Sequence, residues 1–421
     1  MPSIAVKTLG CKVNQYDTEA MLELFERAGY ESVPFESEAD VYLINTCTVT
    51  GTGDAKSLKL IRRVGREHPG AHIIAAGCLA QRQPDKMRLP GVKLIIGVQR
   101  RANVVELLER AVKEQTVIDA TGKLVGAGFE KLTVDRHEGK TRAAMKIQEG
   151  CNRFCSYCVI PYVRGPIRSM PLEDVRTEAQ RLADAGYKEI VVTGIHMASY
   201  GLDIGNTLID AIEAVNGAEG LERVRIGSLE PVCVTEEFAV KLRSLTKVCP
   251  QFHLSMQSGS ETVLKRMNRR YTPAEYLKAC EILRDVFPGC AITTDVIAGF
   301  PGETEEEFEE TCAFVKRVAF ARIHVFPYSR RSGTVADRIP GQVPEEVKKI
   351  RALRLIEIGN KLEEAYVQQQ VGKCVKVLFE ENGEGYTDTY VRVGADGAPG
   401  EIARVLITGA DGTAARGERM N

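Results

Sequence analysis

Three cysteines in one short loop constrain this chain more than any other feature. Cys151, Cys155 and Cys158 are separated by three and by two residues. Three thiolates at this spacing can bind three irons of a cubane iron–sulfur cluster and leave the fourth iron open to a small chelating molecule. The alternatives are a disulfide loop or a zinc site, which usually needs a fourth protein ligand and paired Cys-x2-Cys knuckles. The spacing therefore favours an iron–sulfur cluster with a catalytic use.

The composition indicates a soluble protein of two or three domains. The chain has 421 residues, of which 44% are apolar and 27% charged. Twelve cysteines without a signal peptide or a long apolar run predict a reducing, cytoplasmic location and no membrane contact. The net charge of −1 does not indicate a nucleic-acid-binding protein, although a local basic face would suffice for one.

Alternating strand and helix patterns over residues 1–113 predict an α/β domain with a parallel sheet. Strands are expected at residues 3–8, 40–45, 72–76 and 93–96, and helices at 15–28, 55–67 and 103–113. Cys11, Cys47 and Cys78 each follow one of the first three strands, at the edge where open parallel sheets bind ligands. A lone cysteine beside a strand is usually a core residue. Three of them at one edge predict a shared ligand, such as a second three-cysteine cluster.

The rest of the chain predicts a linker, a barrel and a small β domain. Residues 114–142 are charged and glycine-containing, as linkers are. Residues 143–366 predict an open (β/α)6 barrel with its active site at the carboxyl ends of the strands, while residues 367–421 predict a small all-β barrel. The barrel strands are expected at residues 143–147, 189–193, 224–227, 252–256, 292–297 and 322–326, and helices at 172–185, 274–286 and 304–318. The final β strands are expected at residues 374–379, 386–393 and 402–408.

Taken together, the chain resembles the radical S-adenosylmethionine (SAM) methylthiotransferases over almost its whole length. Cys151, Cys155 and Cys158 match the radical SAM triplet, Cys11, Cys47 and Cys78 match the N-terminal ligands, and the C-terminal segment loosely matches the family's TRAM domain. Three motifs resemble the members that act on N6-threonylcarbamoyladenosine in tRNA. These are Thr8-Leu-Gly-Cys-Lys-Val-Asn-Gln-Tyr-Asp17, Val192-Thr-Gly-Ile-His-Met-Ala-Ser-Tyr-Gly201 and Phe326-Pro-Tyr-Ser-Arg-Arg-Ser-Gly-Thr334.

The resemblance implies an enzyme with two 4Fe-4S clusters and SAM as cofactors. One cluster cleaves SAM to a radical that removes hydrogen from C2 of the adenine, and the auxiliary cluster delivers a methylated sulfur. The implied partners are the tRNA anticodon stem-loop, an electron donor such as flavodoxin or ferredoxin, and a sulfur source. No acid–base pair is visible, and beyond the cluster ligands no catalytic residue is expected.

The same resemblance and the strand positions suggest further site residues. Expected SAM-binding residues are Tyr157, Thr193, Gly194, Ser255, Gln257 and Gly299. For Tyr157, packing in the core is an equal alternative. Expected RNA contacts are Arg164, Arg168, Arg330 and Arg331, which lie near the predicted active edge. His196 and His253 are interpreted as structural hydrogen-bonding residues.

Two further groups of residues are interpreted as structural. The basic helix that carries Lys56, Lys59, Arg62, Arg63 and Arg66 is expected to be a solvated face. The cysteines outside the two triplets are expected to be ordinary buried thiols: Cys233, Cys249, Cys280, Cys290, Cys312 and Cys374.

Alternative functions remain open at the level of the sequence. The same reaction could act on isopentenyl-adenosine in tRNA or on an aspartate of a ribosomal protein. A non-catalytic iron–sulfur redox protein would bind no SAM, and a zinc-binding RNA module would contain no iron.

Overall fold

The N-terminal domain is built on one parallel sheet. The computed structural model describes residues 1–134 and 140–420. The domain's elements are β1 Ser3–Thr8, α1 Lys12–Arg27, β2 Glu31–Val33, β3 Val41–Thr46, α2 Gly51–Glu67, β4 His72–Gly77, α3 Cys78–Arg82, β5 Val92–Ile96, α4 Val104–Lys113 and β6 Ile118–Asp119. The strand order is β2-β1-β3-β4-β5-β6, and all pairs are parallel. Because the central strands are buried on both faces, they form near-continuous apolar runs such as Val41–Thr46. The predicted parallel sheet is confirmed.

The described part of the predicted linker is packed against the rest of the protein. β6 extends the N-terminal sheet, and Leu124, Leu132 and Val134 are buried. The linker prediction for residues 135–139 lies outside the described residues.

The central domain is the open barrel that the sequence predicts. Its elements are β7 Arg142–Glu149, α5 Ile160–Arg164, β8 Arg168–Ser169, α6 Leu172–Asp184, β9 Glu189–Gly194, α7 Leu208–Asn216, β10 Arg223–Ile226, α8 Glu236–Ser244, β11 Gln251–His253, α9 Glu261–Arg266, α10 Pro273–Val286, β12 Ala291–Ala298, α11 Glu305–Val318, β13 Arg322–Pro327 and α12 Glu345–Gln368. Short 3-10 turns of the N-terminal domain lie at Pro84–Met87 and Arg101–Asn103. Those of the central domain lie at Met197–Ser199, Pro231–Cys233 and Ala336–Arg338.

Six parallel strands follow one another in chain order across this domain. β7, β9 and β10 pair in parallel, isolated bridges at Leu229–Leu254 and Val224–Val248 connect β10 to the next strand, and β11, β12 and β13 continue the arc. The two-residue strand β8 adds antiparallel to β7 at the outer edge. Helices cover the outside of the arc, so the carboxyl ends of its strands face one side.

The C-terminal domain is a closed five-stranded barrel. Its strands are β14 Cys374–Glu381, β15 Glu384–Thr387, β16 Arg392–Gly394, β17 Ile402–Asp411 and β18 Ala414–Arg419, in the order β14-β15-β16-β18-β17. β14 also pairs with β17, which closes the barrel. The small β-barrel prediction is confirmed. Within the described residues, no helix is both long and apolar enough to cross a membrane.

Candidate active site

Three adjacent strands of the N-terminal sheet bring Cys11, Cys47 and Cys78 to one edge. Cys11 precedes α1, Cys47 directly follows β3, and Cys78 begins α3 after β4. Because β1, β3 and β4 are neighbours in the sheet, their carboxyl-end loops lie side by side. The thiols of Cys11 and Cys47 are close enough to act electrostatically on the thiol of Cys78. The predicted convergence of the three loops is therefore present.

Two asparagines hold these loops together. Asn14 Nδ2 donates to the carbonyls of Leu9 and Thr46, both at 2.9 Å. Asn45 Nδ2 donates to the Asn14 carbonyl at 2.8 Å. Gly77 has a φ of +91°, and a Cβ there would lie only 2.1 Å from Asn45 Oδ1. Glycine at this position therefore lets the Cys78 loop pack against Asn45.

The Cys151–Cys158 loop is fixed by backbone hydrogen bonds at both ends. Gly150 has a φ of +73° and packs so closely on Pro166 that a Cβ would lie 1.9 Å from its carbonyl oxygen. Cys151 N donates to the Gly165 carbonyl at 3.0 Å, and Ser156 N donates to the Met267 carbonyl at 3.0 Å. The loop thus has a defined shape at the carboxyl end of β7.

Five of the six sulfurs accept a hydrogen bond. The donors are Val49 N to Cys47 at 3.4 Å, Arg164 Nε to Cys78 at 3.3 Å, Arg153 N to Cys151 at 3.4 Å, Arg269 to Cys155 at 3.4 Å and Ile160 N to Cys158 at 3.5 Å. Hydrogen bonds to sulfur are characteristic of iron–sulfur sites. No three Cys, His, Asp or Glu side chains of the described residues converge on a point suited to a single metal ion.

Burial keeps several of the free thiols protonated. Burial raises the pKa of Cys78 to about 11, although the charge of Arg164 opposes the shift. Burial likewise raises the pKa of Cys158 to about 12 and raises that of Cys47 and of Cys151. Since iron binds the thiolate, loading either group of thiols must release protons from groups that favour protonation at neutral pH.

One cavity joins the two groups of thiols. It has a volume of about 940 Å³ and is lined by Cys11 from the N-terminal domain and by Cys151, Cys155 and Cys158 from the barrel. Five of the expected SAM-binding residues also line it: Tyr157, Thr193, Gly194, Ser255 and Gln257. A small molecule on the Cys151 loop would therefore share this cavity with Cys11.

Gly299 does not line this cavity. Its N–H donates to Glu303 Oε2 at 2.8 Å, and Lys348 packs over its Cα. Among the described residues, the structure therefore does not bring Gly299 together with the other expected SAM-binding residues. Tyr157 borders the cavity and also packs against the core. Its ring lies edge-on to that of Phe300, with the ring centroids 6.5 Å apart.

The comparisons with known proteins agree with this geometry. Residues 145–315 match the Radical SAM superfamily, and residues 3–97 match the Uncharacterized protein family UPF0004. Over 97% of its length the chain is 44% identical to the threonylcarbamoyladenosine tRNA methylthiotransferase MtaB of Bacillus subtilis, covering 94% of that protein. It is 38% identical to the MtaB of Aquifex aeolicus, over 96% of this chain and all of that protein. The chain belongs to the radical SAM methylthiotransferase family.

More distant comparisons show where the similarity weakens. The tRNA-2-methylthio-N(6)-dimethylallyladenosine synthase of Acetivibrio thermocellus is 35% identical over 89% of this chain and 80% of that protein. The cobalamin- and 4Fe-4S-bound radical SAM methyltransferase TsrM of Kitasatospora setae superposes with a TM-score of 0.59 at 16% identity, over 80% of this chain and 77% of that one. The latter likeness concerns the fold alone. As a radical SAM enzyme, this methylthiotransferase uses a 4Fe-4S cluster and SAM.

An ion-pair network that sequence reasoning missed lies beside the Cys151 loop of this methylthiotransferase. Glu230 pairs with Arg153 at 2.6 Å, Arg269 at 3.1 Å and His196 at 3.1 Å. Burial alone would raise the pKa of Glu230, but the hydrogen bond from His196 and the charges of Arg269 and Arg153 lower it to about 2. Arg269 also donates to Cys155 and to the Ser255 carbonyl. These residues are far apart in sequence, so no local motif reveals the network.

The two histidines that were interpreted as structural make the expected contacts. His196 Nδ1 lies 2.5 Å from Ser199 Oγ, and His253 Nδ1 lies 3.0 Å from Thr293 Oγ1. Both rings also border the cavity.

Three of the four arginines expected to contact RNA are buried inside the methylthiotransferase. Arg164 is 1% exposed and binds Glu149, Asn14 and Cys78. Arg168 is buried against the Pro166 carbonyl, and Arg331 connects to Thr48 Oγ1 at 2.7 Å and Asp54 at 2.8 Å. In this structure none of these three side chains lies at the surface, and Arg164 and Arg331 use their charges to connect the barrel to the N-terminal domain. Their contact with RNA stays a prediction. Only Arg330, paired with Asp337, keeps an exposed side chain among the four.

The remaining expectations for surface and cysteine residues mostly agree with the structure. Lys56, Lys59, Arg62 and Arg66 are exposed on α2, as expected for a solvated face, and Arg63 is half-buried. Cys249, Cys280, Cys290 and Cys312 are buried, and Cys233 is half-buried. Cys374 is exposed, so its interpretation as a buried thiol is wrong; it lies at the start of β14.

Proposed function

We propose that this enzyme converts N6-threonylcarbamoyladenosine in the tRNA anticodon loop to its 2-methylthio derivative. One observation carries the proposal, namely that a single cavity is bordered by Cys11 and by all three thiols of the Cys151 loop and lies in a chain 44% identical to an enzyme named for this reaction. Relatives named for dimethylallyladenosine are 34% to 36% identical, below the 44% of the Bacillus subtilis MtaB. We further propose cytoplasmic location, a flavodoxin- or ferredoxin-like electron donor and a separate sulfur source.

The residues of each site have distinct proposed roles. When bound, a 4Fe-4S cluster on Cys151, Cys155 and Cys158 supplies the electron that cleaves SAM to start radical chemistry at C2, and one on Cys11, Cys47 and Cys78 supplies the methylated sulfur. Thr193, Gly194, Ser255 and Gln257 lie at strand ends, where they can bind the polar groups of SAM. Tyr157 limits the cavity beside the Cys151 loop.

Arg269 is a positioning residue in this scheme. It donates to Cys155, to the Ser255 carbonyl and to Tyr271, while Glu230 neutralises its charge. It therefore fixes the Cys151 loop relative to the ends of the central strands. Residues of both domains line the cavity.

Nucleoside analysis tests the proposal directly. Total tRNA from cells that lack the gene should lose 2-methylthio-N6-threonylcarbamoyladenosine and accumulate its precursor, as measured by mass spectrometry. Complementation with Cys155→Ala or Cys47→Ala should fail to restore the product. In the purified enzyme, Cys155→Ala should abolish SAM cleavage, whereas Cys47→Ala should retain it.

Three outcomes would contradict the proposal. Loss of the methylthio-isopentenyl nucleoside instead would show that the substrate is isopentenyl-adenosine (dimethylallyladenosine). An unchanged tRNA profile would exclude tRNA and direct attention to a ribosomal protein. Intact methylthio transfer by Cys47→Ala would refute the role of the second triplet.

A further inference from the structure

Most basic side chains that line the cavity already have an acidic partner. Arg153 and Arg269 pair with Glu230, Arg225 pairs with Glu189 at 2.7 Å, and Arg322 lies 3.6 Å from Glu363. Lys12 differs from them. Within the described parts of the chain, its ammonium group has no hydrogen bond or ion pair, and Glu189, which acts on it electrostatically, is already paired with Arg225 and Arg223.

The position of Lys12 is defined by the elements around it. It directly follows Cys11 and is the first residue of α1. Its side chain borders the cavity and also a smaller side opening, which is lined as well by Val191 of β9, by Tyr390 and by the carboxylates Glu380 and Glu381. Lys12 therefore follows an N-terminal thiol in the chain and borders the same cavity as the inner wall of the barrel.

This inner wall is polar. His253, Thr293, Asp295 and His324 border the same cavity, and His253 lies 3.4 Å from Asp295. An apolar isopentenyl group could form no hydrogen bond with these groups, whereas a substituent with carbonyl, hydroxyl and carboxylate groups can. A site that hydrogen-bonds its substrate discriminates strongly against an analogue that lacks the polar groups.

We propose that Lys12 determines substrate specificity by pairing with the carboxylate of the threonylcarbamoyl group. This inference rests on the proposed function. A lysine without an anionic partner beside a polar wall fits a substrate whose N6 substituent ends in a carboxylate. The carboxylate of SAM is the other anion that enters the cavity. The residues expected to bind SAM lie at the strand ends of the barrel, whereas Lys12 comes from the N-terminal domain on the other side of the cavity.

A substrate pair that differs only in this carboxylate tests the inference. Anticodon stem-loops carrying threonylcarbamoyladenosine or its methyl ester are compared by fluorescence anisotropy and by kcat/KM. The native enzyme should prefer the free acid by about 10- to 100-fold, as expected for a hydrogen bond between charged groups. Lys12→Met should bind acid and ester equally, at the affinity of the native enzyme for the ester.

Matched variants separate specificity from folding and cofactor loading. Lys12→Arg keeps the charge and should restore part of the preference for the acid. Lys56→Met removes an exposed lysine of the same domain and should change nothing. Iron content and the Kd for SAM, measured for every variant, should match those of the native enzyme.

Several results would overturn the inference. If the native enzyme modifies the acid but Lys12→Met discriminates against the ester equally well, Lys12 does not read the carboxylate and the proposed function stands. An equal loss of affinity for acid and ester would place Lys12 against the RNA backbone, and a changed Kd for SAM would place it against the cofactor. If the native enzyme modifies neither threonylcarbamoyl stem-loop, the proposed function itself fails.

Discussion

At the scale of single residues, Arg164 connects the two groups of thiols. It lies at the end of α5, shortly after the Cys151 loop, and its Nε donates to Cys78 at 3.3 Å. Its other nitrogens donate to Glu149 at 2.5 Å and to Asn14 at 2.6 Å. A buried guanidinium with three partners of this kind stabilises a thiolate at Cys78 and ties the barrel to the N-terminal loops.

Replacement of Arg164 by methionine should weaken iron binding by the N-terminal triplet. The change removes the only charged donor to Cys78 among the described residues and leaves the buried Glu149 with two cations, Arg101 and Lys146. In a Cys155→Ala background, which isolates the N-terminal site, reconstituted protein should fall from about four irons per chain toward zero. Iron analysis and the cluster's electronic absorption measure the change.

The exposed Arg330 provides the control for this experiment. It pairs with Asp337 at the surface, so Arg330→Met should leave the iron content unchanged. Full iron retention by Arg164→Met would show that the Cys78 hydrogen bond does not support the site.

The sequence predicted the thiols of this site better than their surroundings. Each cysteine stands at a fixed offset from a strand end, so local pattern and topology place it. Arg164 was expected at the RNA because a basic residue near an active edge usually faces substrate. Its partners Asn14 and Cys78 are distant in sequence, and only the packing of two domains brings them together.

At the scale of elements, regular strands and helices were predictable and short edge strands were not. β1 spans the predicted residues 3–8, and α11, Glu305–Val318, begins one residue after the predicted start. The strands β2, β6 and β8 have only two or three residues, too few to show an alternating pattern. They exist because a neighbouring strand offers free backbone groups.

A capping box defines the start of α11 and gives a test at this scale. Thr304 Oγ1 accepts from Glu307 N at 3.2 Å, and Glu307 Oε2 accepts from Thr304 N at 2.9 Å. Thr304→Ala should lower the free energy of unfolding by about 1 kcal/mol, because the hydroxyl that accepts from Glu307 N is lost while the backbone N–H of residue 304 remains. Thr177→Ala, an exposed position inside α6, should be neutral or slightly stabilising because alanine favours the helix. Urea unfolding measures both, and equal effects would contradict the role of the cap.

At the scale of the whole molecule, two arginines of β10 attach the C-terminal barrel to the central barrel. Arg223 donates to the carbonyls of Lys376 and Tyr386, and Arg225 donates to those of Thr387 and Asp388. The sequence indicated both domains but not this interface. The run Arg-Val-Arg-Ile looks like a strand with one polar face, and that face is buried only because another domain covers it.

Loss of the buried Arg225 should lower the free energy of unfolding far more than loss of a surface ion pair. Arg225 and Glu189 are 3% and 1% exposed, so Arg225→Met leaves a buried carboxylate with weaker partners and should destabilise the protein by about 3 kcal/mol. Arg176→Met breaks the pair with Glu173, whose side chains are 58% and 78% exposed, and should cost less than about 0.5 kcal/mol. Urea unfolding gives both values, and limited proteolysis of Arg225→Met should release the C-terminal barrel.

The Arg225–Glu189 pair also predicts how the stability difference between the native protein and Arg225→Met depends on pH. Burial raises the pKa of Glu189, but the charge of Arg225 and its hydrogen bond lower it below the ordinary value overall. A lowered pKa means that the ion pair contributes fully above the ordinary glutamate range and loses its contribution as the carboxylate is protonated. The stability gap between native protein and Arg225→Met should therefore narrow as the pH falls from about 5 to about 3, through and below the ordinary glutamate pKa. A gap that stays constant over this range would assign the loss to packing of the arginine side chain rather than to its charge.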